Sequence, residues 1–246
     1  MRIALFSDIH ANLPAFDAML MDMDKRKPDA VYCLGDLVGY NVHPNEVVAE
    51  IRKRGIATIA GNHDMKVIGL ADVDEVQLQA SGKDCAYHII NADNRAYLAT
   101  LPAHIRLSFQ LASGKLNILL VHGSPRSVNE YVLADTDEDY VLNMMQEYDA
   151  DVLCLGHSHK PYHRVIGKSD ATFCHVVNIG SVGKPKDGNP QGCYVMLTIN
   201  ETSNTANKDG IKVEFVRFDY DVEMAAKAVE SSFLPSEFAD MLRKAY

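Results

Sequence analysis

The sequence predicts an α/β fold, a core of parallel strands with helices on its faces and antiparallel strands beside it. Three observations point there. Short apolar runs alternate with amphipathic segments in the first quarter of the chain, a hairpin signal separates two later runs, and further strand-length apolar runs fill the second half. With 246 residues, 47% hydrophobic and 23% charged, the chain can bury a substantial core and has the composition of a globular protein rather than a disordered one.

In chain order, Ile3 to Ser7 reads as a buried strand, and Pro14 to Arg26 places Phe16, Met19, Leu20 and Met23 at helical spacing. Ala30 to Leu34 is a second strand, Pro44 to Arg54 a second helix with Pro in its first turn, and Ile56 to Ala60 a third strand. This strand–helix alternation implies parallel pairing. From about 65 to 104 the chain is polar and helix-prone, and it lacks the apolar mass for a core of its own. It is read as a helical insertion within a single domain spanning 1–246. Leu107 to Leu111 and Lys115 to Val121 form a hairpin around Ala112-Ser113-Gly114. A helix at Thr136 to Tyr148 precedes strands at Asp151 to Leu155, Tyr162 to Ile166, Thr172 to Asn178, Cys193 to Ile199 and Val213 to Phe218. A helical segment from Val222 to Lys244, broken near Pro235, follows. Met19, Met21, Met23, Met144 and Met145 read as helix faces packed on the sheet. Phe233, Phe238, Met241 and Leu242 can dock on the core or form a homodimer contact.

Charge and cysteine usage exclude some functions. A net charge of −9 offers no footprint for stable duplex nucleic-acid binding, though it leaves a nucleotide substrate open. No apolar run reaches the length of a membrane span. Asp8 and His10 interrupt the first apolar run, which fits a strand better than a signal peptide, and a cytoplasmic location is expected. Cys33, Cys85, Cys154, Cys174 and Cys193 show no C-x-x-C spacing and read as small buried hydrophobes.

The chemistry-bearing residues gather where apolar strands end. Ser7-Asp8-Ile9-His10, Gly35-Asp36-Leu37-Val38-Gly39, Gly61-Asn62-His63-Asp64, His122-Gly123 and Gly156-His157-Ser158-His159 each follow a strand. Ligands of open α/β sheets bind outside the carboxyl ends of the strands, so the five turns are expected to face one crevice. Helix capping, turn formation or a satisfied core histidine explains any one of these motifs alone. Recurrence at five strand ends does not fit those readings. Carboxylate and imidazole together suit Mn, Fe, Zn, Ni or Co, and no thiolate is present to demand a soft metal.

The order D-x-H, G-D-x-x-G, G-N-H-[DE], H-G, G-H-x-H resembles the calcineurin-like metallophosphoesterases, and the flanking runs SDIHANLPAF and GDLVGY are similar to small bacterial and archaeal members, some described as diadenosine tetraphosphatase-like. The resemblance implies a four-layer α/β/β/α sandwich of two mixed sheets flanked by helices. It also implies two divalent metal ions, with Mn favoured. Asp8, His10 and His159 would hold the first metal, Asn62, His122 and His157 the second, and Asp36 would bridge them about 3.5–4 Å apart. A hydroxide shared by the ions would attack phosphorus, and His63, outside the ligand set, would bind phosphate or protonate the leaving oxygen. Protein phosphatases of the family carry G-D-x-x-D-R-G; here Gly39-Tyr40 stands in place of Asp-Arg. That removes a carboxylate partner for His63 and an arginine for phosphate, and it favours a small phosphorylated substrate.

Asp64 is the nearest carboxylate in sequence that could orient His63. Arg126 and His43 are the candidate substrate contacts beside Asn62 and His63. His88 and His104 can cap the site from the insertion, and Gly180-Ser181-Val182-Gly183 with Lys184 and Lys186 can lie near a phosphate. The expected activity is hydrolysis of a small phosphodiester or nucleotide. Dinucleoside polyphosphate hydrolysis and phosphomonoesterase activity are the alternatives, and a non-catalytic metal-binding scaffold, as in the retromer subunit of this fold, is the more remote one.

Overall fold

Residues 1–246 are described by a computed structural model, and the first half of the chain winds as its apolar pattern requires. β1 (Arg2–Phe6), α1 (Leu13–Arg26), β2 (Ala30–Cys33), α2 (Pro44–Arg54), β3 (Ala57–Thr58) and α3 (Asn62–Lys66) come first. The insertion contributes α4 (Glu75–Ala80), α5 (Cys85–His88) and α6 (Ala92–Leu98). Then come β4 (His104–Leu111), β5 (Gly114–Val121), α7 (Glu138–Glu147), β6 (Val152–Leu155), β7 (Tyr162–Gly167) and β8 (Phe173–Asn178). The chain closes with β9 (Gly192–Thr198), β10 (Lys212–Phe218), α8 (Val222–Glu230) and α9 (Glu237–Lys244).

The strands form two five-stranded mixed sheets, ordered β10-β9-β1-β2-β3 and β4-β5-β6-β8-β7. In the first, β1, β2 and β3 run parallel while β9 and β10 pair antiparallel at the β1 edge. In the second, β5, β6 and β8 run parallel and β4 and β7 pair antiparallel at the two edges. The five motif-bearing strands are therefore shared between two mixed sheets, as the family resemblance implied. Hydrophobic periodicity marks which strands are buried on both faces; it does not say which sheet they join.

Strand alternation sorts side chains into layers. Ile3 and Leu5 of β1 meet Ile118, Leu120, Val152 and Cys154 between the sheets. Ala4 and Phe6 point the other way, onto Phe16, Met19, Val47 and Ile51 of α1 and α2. Leu119, Val121 and Leu153 pack outward on Val141, Met144 and Met145 of α7. The result is an α/β/β/α sandwich in which each fully buried Leu, Ile or Phe contributes about 1.5–3 kcal/mol. Met21 departs from its expected packing and is exposed on the outer face of α1. The insertion leans on the C-terminal helices, with Cys85 and Ala86 of α5 against Ala225, Ala226, Val229 and Leu242. All five cysteines are buried and free. No helix is long and apolar enough to cross a membrane.

Candidate metal centre

The turns after the strands bend sharply to aim their side chains inward. Asp8, His10, Asp36, His157 and His159 all hold a left-handed backbone, with φ between 51° and 64°. Non-glycine residues seldom adopt that region, and holding each there costs of order 1 kcal/mol or more that the surroundings must offset. The surroundings here are a dense backbone network. The amides of Asp8, His10 and Ala11 donate to the carbonyls of Gly35, Asp36 and Leu37 at 3.0, 3.0 and 2.8 Å, stitching the β1 and β2 turns together. From the other side, the Val182 and Gly183 amides donate to the carbonyls of Ser7 and Asp8 at 3.0 Å each, and the Ser181 hydroxyl to that of Asp8 at 2.8 Å. Two of the N–H groups expected to face a phosphate from the Gly180–Gly183 turn thus brace β1 instead.

The side chains converge. Ligand atoms of Asp8, His10, Asp36 and His159 lie within 4.8 Å of one another, and all four residues are buried. Asp8 Oδ1 is 3.1 Å from His159 Nε2 and 3.6 Å from His10 Nε2. Asp36 Oδ2 is 3.6 Å from His10 Nε2 and 3.4 Å from His122 Nε2, which lies 3.1 Å from Asn62 Oδ1. Asp36 therefore stands between two groups of donors. Gly61 makes this approach feasible, because a Cβ there would sit 2.1 Å from Asp36 Oδ1.

The far ring nitrogens settle which way the imidazoles face. His10 Nδ1 lies 2.9 Å from the Val38 carbonyl and His122 Nδ1 2.8 Å from that of Leu34, while His159 Nδ1 contacts the Lys184 carbonyl. A carbonyl only accepts, so each Nδ1 carries a proton and each Nε2 presents a lone pair to the cluster. Asp8 Oδ1 and Asp36 Oδ2 are buried without any hydrogen-bond donor. Buried anions facing imidazole lone pairs are costly unless a cation joins them, and the N/O donor set suits a first-row divalent ion. The residues fit a metal.

A family profile described as the calcineurin-like phosphoesterase superfamily domain matches residues 1–202. The chain belongs to that superfamily. It is 30% identical over 253 aligned positions to the uncharacterised protein MJ0912 of Methanocaldococcus jannaschii, covering 98% of this chain and 96% of that one. A metallophosphoesterase from Sphaerobacter thermophilus superposes with a TM-score of 0.77 at 26% identity, covering 100% of this chain and 99% of the other. The hypothetical protein PH1004 from Pyrococcus horikoshii shares the fold at TM-score 0.77 and 19% identity, covering 100% and 98%.

In this member of the superfamily the remaining candidates stand further out. His157 turns its Nε2 to the Asn129 carbonyl at 3.3 Å, with its ring 4.1 Å from that of Tyr131 and 5.1 Å from that of His122. Arg126 is not brought into the cluster. Its guanidinium pairs with Glu147 at 2.8 Å and lies over the Tyr140 ring, on the outside of the second sheet. His43 precedes α2 and faces Glu46 at 3.8 Å, also apart from the cluster. His104 opens β4 as an exposed residue. Asp64 does not contact the His63 ring; its carboxylate accepts the backbone N–H groups of Asp36, Leu37 and Gly61 at 2.8, 2.9 and 2.9 Å. Sequence reasoning missed the aromatic surround. The Tyr40 ring lies 4.9 Å from that of His10 and 5.0 Å from that of His63, and Phe238 of α9 backs it at 5.1 Å. A Tyr beside Gly39 at the end of the second motif was the available signal.

Proposed function

We propose that this chain is a two-metal phosphoesterase that hydrolyses a small phosphodiester or nucleotide. The observation that carries the reading is the pair of buried carboxylate oxygens, Asp8 Oδ1 and Asp36 Oδ2, facing imidazole nitrogens with no proton donor between them. Asp8, His10 and His159 would hold one ion, Asn62, His122 and His157 the other, with Asp36 shared. Divalent ions there would supply an activated water and neutralise phosphate charge, with Mn favoured. The chain's own part is to orient the ester. His63 lies beside the cluster, its ring 4.8 Å from that of His10, and its amide donates to Asp36 Oδ1 at 2.8 Å. Burial pushes its imidazole well below its ordinary range, so the ring is neutral at rest and offers a hydrogen bond to phosphate or the leaving oxygen. Tyr40, Tyr87 and Tyr131 stand round the cluster, and flat rings against ligand histidines suit a compact ester or a nucleobase.

The test is reconstitution. Metal-stripped protein is assayed with bis-p-nitrophenyl phosphate and p-nitrophenyl phosphate after addition of Mn, Ni, Mg or Zn, then with diadenosine tetraphosphate and cyclic nucleotides. Turnover should return with at least one metal, diester above monoester. His63→Ala should keep its metal and lose about 10²–10³ in turnover, the range for removing one positioned hydrogen-bond donor to developing charge. No turnover with any ion, together with no bound metal in the purified protein, would leave only a scaffold.

A further inference from the structure

The geometry points to Tyr87, in the helical insertion, as the residue that orients His63: its hydroxyl donates to His63 Nδ1 and so sets the ring proton on Nε2. The two atoms lie 2.7 Å apart. This inference rests on the phosphoesterase reading only for what the orientation accomplishes; the contact itself stands without it.

Three features of the structure converge on the assignment. First, the other partner of the Tyr87 oxygen is a donor: Lys66 Nζ lies 3.3 Å away, with its charge over the same ring. An ammonium only donates, so the acceptor that the protein offers the phenol proton is Nδ1. Secondly, the neighbouring carboxylate is engaged elsewhere, since both oxygens of Asp64 accept backbone N–H groups. Thirdly, the position where related protein phosphatases carry an aspartate is Gly39, and a Cβ there would come 2.7 Å from His63 Nδ1 and 3.4 Å from Tyr87 Cε1. Residue 39 has φ +91° and no room for a side chain beside the His63 ring, and Tyr87 approaches Nδ1 from the insertion side. A donor arriving from an inserted helix thus takes the place of an acceptor arriving from the strand turn.

The exchange has a chemical consequence. A carboxylate partner would hold the proton on Nδ1 and leave Nε2 bare in the neutral ring; a hydroxyl donor does the reverse. His63 Nε2 makes no hydrogen bond within the protein and carries the N–H that a leaving or phosphate oxygen can accept. No proton need be transferred in that step: as the phosphorus–oxygen bond breaks, its electron pair stays on the leaving oxygen, and the Nε2–H hydrogen bond stabilises the growing charge until solvent protonates it. Tyr87 is a positioning residue, acting through His63.

The test compares wild-type protein with Tyr87→Phe, which keeps the ring and removes the hydroxyl. Nitrogen-15 NMR of the His63 ring, in metal-free and zinc-loaded protein, should show a single form with bare Nδ1 and protonated Nε2, and Tyr87→Phe should show a mixture. Activity should fall in kcat with KM within about twofold, and the fall should depend on the leaving group. It should be slight for p-nitrophenyl esters, whose leaving oxygen needs little help, and about tenfold or more for alkyl esters. Wild-type protein with Nδ1 protonated, or Tyr87→Phe with an unchanged ring spectrum and an equal loss on every ester, overturns the assignment. Absence of turnover in wild-type protein would sink the phosphoesterase reading instead, and the ring spectrum would still decide the Tyr87 contact.

Discussion

Asp64 ties together the two turns that carry Asp36 and Asn62, although it touches no candidate ligand's donor atom. Its oxygens accept N–H groups from Asp36, Leu37 and Gly61, and the residue is fully buried. Removing the carboxylate would leave three amides without partners in the interior, at about 1–3 kcal/mol for each group left unsatisfied. Asp64→Ala should therefore lose at least about 3 kcal/mol in a urea melt, and Asp64→Asn, which keeps one acceptor oxygen, should lose less. If Asp64→Ala melts like the wild type, the carboxylate is not what holds the turns. At this scale the site was legible where chemistry follows an apolar run directly: Asp8, Asp36, His122 and His159 lie within a few residues of a strand end. Tyr87 was not legible. It reaches His63 only through the path of the insertion, and no spacing in the sequence records a contact between residues twenty-four positions apart on separate short helices.

Elements show a similar division. The strands predicted from apolar runs form, but β3 pairs over only Ala57 and Thr58, because the chain turns at once into the motif that carries Asn62. The hairpin forms with Leu111 paired to Gly114, so Gly114 opens β5 rather than closing the turn. The division into two sheets is decided by which residues meet across the core, a long-range property. Strands β7 and β8 hold a second histidine pair, remote from the site in the fold. His163 Nε2 and His175 Nδ1 are 3.0 Å apart, and the buried Nε2 of His175 has no partner. Burial pushes His175 down to about 4, with His163 adding to the shift, and burial lowers His163 too. In the unfolded chain both would titrate near 6.5. Between about 6.5 and 4 the unfolded state therefore binds more protons, so stability is complete above that window and falls as pH drops through it. Denaturant melts at pH 7.5 and pH 5 should show a loss that is smaller in His175→Gln by about 1–2 kcal/mol, the rest coming from other imidazoles that burial holds neutral, His63 among them. An equal loss in the variant would place the acid sensitivity elsewhere.

For the whole molecule, the net charge of −9 offers no footprint for polyanions such as a nucleic-acid duplex. The structure makes that reading local. Asp8 and Asp36 are buried at one end of two stacked sheets, and two divalent ions would outweigh their charge and leave a cationic cleft in an acidic surface. Such a cleft favours a compact phosphate over a long duplex. The same burial couples metal to folding. The proposed ligands come from turns following five strands, and each ion's set draws on both sheets, so bound ions would join the sheets, and the unfolded chain has no such site. An ion present at a hundred times its dissociation constant adds about 2.7 kcal/mol. For a chain of this length that corresponds to roughly 5–10 °C in melting temperature. Dialysis against a chelator should lower the melting temperature by that amount at a fixed scan rate, and added Mn or Zn should restore it. Asp36→Ala, which removes the shared ligand, should respond far less to either treatment. Wild-type melting that ignores both chelator and excess metal would mean that the carboxylates at the strand ends hold no ion.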